Sequence, residues 1–215
     1  MDYLAILKDH LGFIERFYNA AAEPFEATLR KIQAEEEPFV PKCAPGDHDG
    51  PEYLSEWMEA EECLGVIGSS SLGLLQKALH DYLREFVERE GGPGPKQPAK
   101  EPWFDHHCRF LEENTAFRWV NSPVPRGPIE QINLSRNDFA HNSMIGTAWT
   151  SQSEEHFRKY PVSAFADKLH LAALTGGAGE PECSVFLKVT RENLTTHIQY
   201  VRQFCTFVEA QRTKW

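Results

Sequence analysis

Three long stretches of this chain repeat their apolar residues at steps of three and four, and that period leaves little choice of fold class. Leu4, Leu7, Leu11, Ile14, Phe17 with Tyr18, Ala21, Phe25 and Leu29 mark the first, from Asp2 to about Ile32. Leu64, Ile67, Leu72, Leu75, Leu79, Leu83 and Phe86 mark the second, between Glu52 and Arg89. Leu194, Ile198, Val201, Cys205 and Val208 mark the third, which opens on Thr190 as N-cap and runs to about Arg212. Such spacing gives each helix one apolar stripe, and the stripes must bury against one another. Pro24 removes a backbone donor inside the first helix and predicts a bend there. Gly65, Gly68 and Gly73 interrupt the second. Each costs a helix about 1 kcal/mol relative to Ala, which predicts either close packing on a neighbouring backbone or a break near residue 70.

The segments between these helices are shorter. Trp103 to Trp119 reads as a helix ended by Asn121-Ser122-Pro123-Val124-Pro125. Pro128 suits the first turn of the next, whose apolar side is Ile129, Ile132, Phe139 and Ala140. Ser153 to Lys159 and Phe165 to Leu174 read as short helices, the second closed by Gly176-Gly177. Val185 to Val189 is β-prone and extended, with no strand nearby to make a sheet. Loops rich in Gly, Pro and charge fall at about 38–51 and 91–100. The expectation is one all-α domain over residues 1–215, an up-and-down bundle of four to five principal helices with inserted loops. The 215 residues suffice for a single well-formed core.

No stretch approaches the about 18 uninterrupted apolar residues of a membrane span, and the start lacks the basic-then-apolar build of a signal peptide. Five scattered cysteines (43, 63, 108, 183 and 205) favour reduced thiols and a cytoplasmic protein over a disulfide framework. The net charge of −10 argues against a generic nucleic-acid binder. It is unevenly spread: residues 1–113 hold 11 Lys/Arg against 23 Asp/Glu, and residues 114–215 hold 11 against 9. The second half therefore permits an anionic ligand.

Most familiar chemistries find no pattern here. There is no glycine-rich phosphate loop followed by Lys-Ser/Thr and no G-x-S-x-G elbow. His106-His107-Cys108 beside Asp105 is dense in metal ligands, but adjacent helical residues point roughly 100° apart and do not share an ion as H-x-x-x-H does. No metal and no cofactor is expected. Cys63 and Cys205 fall on apolar faces and read as small core residues. Trp57, Trp103, Trp119 and Trp149 read as core or interface anchors rather than base-stacking platforms.

Arg136-Asn137-Asp138-Phe139-Ala140-His141 stands apart. Arg is a permanent cation whose donor fork matches phosphate, and His is the side chain suited to move a proton near neutral pH. Arg followed by His after four to six residues is a cheap pattern, and the chain has a second instance in Arg191 and His197. Arg191 precedes Glu192, which would pair with it, so that instance reads as a solvated helix face. Arg136 precedes Asn137, which would not neutralise it. Asn133, Asn137 and His141 stand at i, i+4 and i+8 and line one helical face. Arg136 flanks that strip but points some 140° from His141 on a regular helix. Convergence on one phosphate would need a distorted helix or a second copy, and the strip also fits plain solvent exposure.

The motif resembles the R-x(4–6)-H signature of HEPN (higher eukaryotes and prokaryotes nucleotide-binding) domains, in which a polar residue, often Asn, follows the Arg. Gly68 to Leu79, running on through Tyr82-Leu83-Arg84, looks like the family's long helix before the motif, and the helix opening at Thr190-Arg191-Glu192-Asn193-Leu194 like its C-terminal helix. The resemblance covers roughly residues 52–90 and 128–212. It implies a metal-independent endoribonuclease acting as a homodimer with a composite site, leaving 2′,3′-cyclic phosphate and 5′-hydroxyl ends. His141 would be general base or general acid, Arg136 would stabilise the phosphorane, and Asn137 would orient the phosphate or the His. Asn133 would contact the RNA substrate. A toxin or antiphage-defence setting, with an antitoxin or other regulatory partner, belongs to the same expectation. Where some family toxins carry a Tyr that the antitoxin modifies, this chain has Ser143. The acidity fits a restrained enzyme that needs a partner, or a nucleotide-binding or scaffold dimer that does not cut.

Overall fold

The structure is a computed structural model and describes residues 2–42, 51–91, 101–141, 150–176 and 183–212. The described residues form seven α-helices: α1 (Tyr3–Gln33), α2 (Leu54–Gly91), α3 (Trp103–Asn114), α4 (Arg126–His141), α5 (Glu154–Lys159), α6 (Lys168–Thr175) and α7 (Arg191–Ala210). Two two-residue strands, β1 (Thr150–Ser151) and β2 (Phe186–Leu187), complete them. Five helices have 12 or more residues, and α5 and α6 have 6 and 8. The fold is an all-α helical bundle, as the periodicity predicts. No helix among the described residues is long and apolar enough to cross a membrane.

The stripes do what their spacing requires. Leu7, Leu11 and Ile14 of α1 enter one core with Leu72, Leu75, Leu79, Leu83 and Phe86 of α2 and Ile198, Val201, Cys205 and Val208 of α7. The most extensive contact is between α1 and α2, with α7 against both and α4 against α2 and α7. Asp2 caps α1 by accepting from the Ala5 amide at 3.0 Å. Thr190 and Asn193 form a reciprocal capping box that starts α7. α1 runs through Pro24 and α2 runs unbroken through its three glycines. Close packing is what Gly68 serves: a Cβ there would lie 2.8 Å from both the Cβ and the carbonyl oxygen of Val189.

Two local expectations need correcting. The third helix stops at Asn114, short of Trp119, because the Thr115 hydroxyl donates to the Leu111 carbonyl at 2.6 Å and accepts from the Phe117 amide at 3.0 Å. That turn drives Phe117 into the core against Phe204, and Trp119 stacks on Phe204 with centroids 5.2 Å apart. The extended segment near Val185 does join a sheet. β2 pairs antiparallel with β1, Thr150 opposite Leu187. Its other edge bonds to the stretch before α6, Asp167 N–H to Phe186 O and Lys188 N–H to Phe165 O, each at 2.7 Å. The segment 186–188 is thereby hydrogen-bonded along both edges. Of the loops expected at 38–51 and 91–100, positions 43–50 and 92–100 lie outside the described residues.

Candidate active site on α4

The N-terminal half of α4 is buried nearly all round: Ile129, Glu130, Gln131, Ile132, Asn133 and Ser135 are all out of solvent. Buried polar groups need partners; Glu130 and Gln131 have them, whereas the side-chain polar atoms of Asn133 and Ser135 have none among the described residues. Glu130 receives the Tyr160 hydroxyl at 2.9 Å and the Lys159 ammonium. Burial, then the Glu130 carboxylate, pushes the Tyr160 hydroxyl up to about 12, so it donates as a neutral phenol. Gln131 Oε1 accepts from the Ala164 amide at 2.7 Å. Arg126, in the first turn, pairs with Asp105 of α3. These contacts fix the helix along and about its axis.

One turn further on only one side stays buried. Asp138 faces inward, and its Oδ2 lies 2.6 Å from Nδ1 of His156 on α5. The carboxylate nearest in sequence to Arg136 and His141 is thus engaged by His156 and turned away from Arg136. The outward side carries Arg136, Asn137, Ala140 and His141, all exposed. Arg136 forms no ion pair among the described residues and donates only to Asn137 Oδ1, at 3.3 Å. Arg89, Arg126, Arg158 and Arg212, by contrast, each hold a carboxylate. Ala140 falls between Arg136 and Asn137 around the axis. Its methyl group leaves a shallow floor flanked by a cation, an amide and an imidazole.

The strip of Asn133, Asn137 and His141 divides. Asn137 and His141 face solvent, whereas Asn133 is 8% exposed and neither of its amide atoms has a partner among the described residues. α4 keeps α-helical geometry to His141. Arg136 and His141 therefore diverge by about 140° around the axis and about 7.5 Å along it.

The second Arg-His instance is a different object from the one its sequence suggests. Arg191 reaches α1, bonding Glu26 at 2.6 Å, Glu23 at 3.3 Å and Asn19 at 2.7 Å, while Glu192 pairs with Lys168 instead. His197 is not on a solvated face. It is 3% exposed, its Nδ1 donates to the Asn193 carbonyl at 2.6 Å, and its ring packs on Phe165. Burial lowers its pKa. The cause is that α7 is covered on two sides, by α1 and by the 163–166 segment.

His106 and His107 are also buried and spoken for, His106 Nδ1 by Glu101 at 3.1 Å and His107 Nδ1 by the Trp103 carbonyl at 2.6 Å. Cys108 is 1% exposed, and burial pushes its thiol up to about 12. Among the described residues no group of three or more His, Cys, Asp or Glu is placed to hold a metal ion. Sequence reasoning overlooked the Asp138–His156 pair, since nothing in the spacing of α4 and α5 connects them.

No family model matches the chain, and neither a curated protein nor a solved structure matches it.

Proposed function

We propose that this protein is a metal-independent endoribonuclease of the HEPN type whose site is completed by a second copy of the chain. The observation that carries the reading is the face of α4: an exposed arginine without a carboxylate partner among the described residues, an adjacent amide and an exposed histidine on an undistorted helix. Because α4 is regular, one chain does not aim Arg136 and His141 at the same point, and two facing copies remove the difficulty. In such a cleft one His141 takes the proton from a ribose 2′-hydroxyl as the 2′-oxygen attacks phosphorus. The same His141, now an imidazolium, gives that proton to the departing 5′-oxygen. Arg136 holds the phosphorane's charge and Asn137 orients the phosphate or the imidazole. The products are a 2′,3′-cyclic phosphate and a 5′-hydroxyl.

The four described cysteines are free thiols, which suits a cytoplasmic protein. A toxin or defence role with a restraining partner fits an acidic chain that would otherwise meet RNA weakly. That same charge of −10 favours the second reading, a dimer that binds a nucleotide without cutting it. The test is cleavage of single-stranded RNA in EDTA by wild type, His141→Ala and Arg136→Ala. Both variants should lose activity by a hundredfold or more, on the order of what general acid–base and charge-stabilising groups contribute. Undiminished cleavage by both variants would refute the assignment.

A further inference from the structure

A pocket of about 250 Å³ opens beside the motif helix, on the side of Phe139. Phe139 stands three residues after Arg136, about 60° around α4 and about 4.5 Å along it. Trp57 and Glu61 of α2, His170 of α6, and Phe186 and Lys188 around β2 form the other walls. The His170 ring stacks on Phe186 at 4.0 Å with 21° between planes, anchored by the Phe186 amide donating to its Nδ1 at 2.8 Å. Within this aromatic lining sits one ion pair, Lys188 Nζ to Glu61 Oε2 at 2.6 Å, with side chains 34% and 17% exposed.

We propose that this pocket receives a nucleobase of the RNA substrate, guanine being the best match, next to the phosphate held by Arg136. The proposal rests on the nuclease reading and adds a base specificity to it. Flat aromatic walls suit a planar heterocycle, and unpaired RNA bases are bound by stacking on such rings with their edges hydrogen-bonded. A lipid or aliphatic chain would leave the Glu61–Lys188 pair unused. Guanine presents two adjacent donors, N1–H and the N2 amino group, beside the acceptor O6. A carboxylate next to an ammonium is the complement of that edge, since Glu61 accepts only and Lys188 donates only. Cytosine lacks that order of groups. The walls carry Lys188 against two carboxylates, Glu61 and the α6-capping Asp167, and an uncharged base with donors on its edge suits them better than an anion. Stacking then supplies affinity that the acidic surface does not.

The experiment uses the full chain in two arms. Guanosine and cytidine are titrated against wild type, Glu61→Gln, Lys188→Gln and His141→Ala, with thermal melts confirming folding. A single-stranded RNA pool of random sequence is then cut by wild type and the two pocket variants, and the ends are sequenced. Guanosine is expected to bind about tenfold or more tightly than cytidine, and Glu61→Gln and Lys188→Gln each to lose most of that ratio. Guanine is expected to be enriched at one position beside the cut for wild type and not for the pocket variants. His141→Ala should keep the guanosine affinity while losing cleavage. Equal binding of the two nucleosides, or a cut-site preference unchanged by both pocket variants, overturns the pocket assignment even if the nuclease is real. Glu61-dependent guanosine binding without cleavage by wild type leaves the pocket standing and removes the nuclease reading.

Discussion

Asp138 and His156 lie 2.6 Å apart, Oδ2 to Nδ1, at 3% and 0% exposure, and this contact ties the motif helix α4 to α5. It also holds the one carboxylate within the motif inside the fold, on the side opposite Arg136. Truncating one partner would leave the other buried without a hydrogen bond. Asp138→Ala should therefore destabilise the fold by about 3 kcal/mol, and Asp138→Asn by less, because an amide oxygen still accepts from Nδ1. Urea unfolding of the two variants measures both. Equal stability of Asp138→Ala and wild type would contradict the contact.

The glycines of α2 offer a paired comparison. At Gly68 an added methyl meets Val189 at 2.8 Å, side chain and carbonyl alike, and at Gly73 it meets nothing within 4 Å. Gly68→Ala should cost about 1–3 kcal/mol from overpacking. Gly73→Ala should gain up to about 1 kcal/mol from helix propensity alone. Opposite shifts in melting temperature would confirm the α2–Val189 contact, and shifts of the same sign would speak against it.

The bundle itself was legible because α1, α2 and α7 each bury one periodic stripe, a pattern written within each helix. What escaped was non-local. The strands β1 and β2 are two residues each and pair across 35 positions at Ser151 with Phe186, so no local signal marks them. The stop of α3 at Asn114 depends on Thr115 turning Phe117 toward Phe204, about ninety residues away. On the site, exposure of Arg136, Asn137 and His141 followed from their polarity. Burial of Asn133 did not, because the first half of α4 is covered on every side and its helical wheel is no guide there. His197 misled for the same reason: a polar residue on α7 reads as surface until Phe165 is known to lie on it.

Two buried imidazoles and one half-buried one give the fold a pH dependence. Burial lowers the pKa of His197, His107 and His80 below the ordinary value of about 6.5. In the window between that value and the lowered ones the unfolded chain binds more protons, so stability is complete above about pH 6.5 and is lost as the pH falls through the folded-state pKa values. The melting temperature should drop on acidification from pH 7.5 toward 5.5, and less steeply in His197→Phe. An unchanged melting temperature over that range would count against neutral burial of these rings.

Thiol accessibility checks the packing of α3 and α7. Cys183 is exposed, whereas Cys108 and Cys205 are 1% and 0% exposed, and burial raises both of their thiol pKa values. Iodoacetamide near neutral pH should modify Cys183 in the native protein and reach Cys108 and Cys205 only on unfolding. Peptide mapping after brief labelling resolves the sites, and rapid native labelling of Cys205 would be inconsistent with the α2–α7 contact.

The central claim is that Arg136 and His141 act on one phosphate from two chains, and mixing inactive variants tests it most directly. Arg136→Ala and His141→Ala proteins are unfolded together, refolded as a statistical mixture and assayed on single-stranded RNA in EDTA. If each site takes Arg136 from one chain and His141 from the other, half the dimers are mixed and each of these carries one intact site, so about a quarter of wild-type activity should return. A mixture as inactive as its parents, beside an active wild type, would contradict a site shared between two chains.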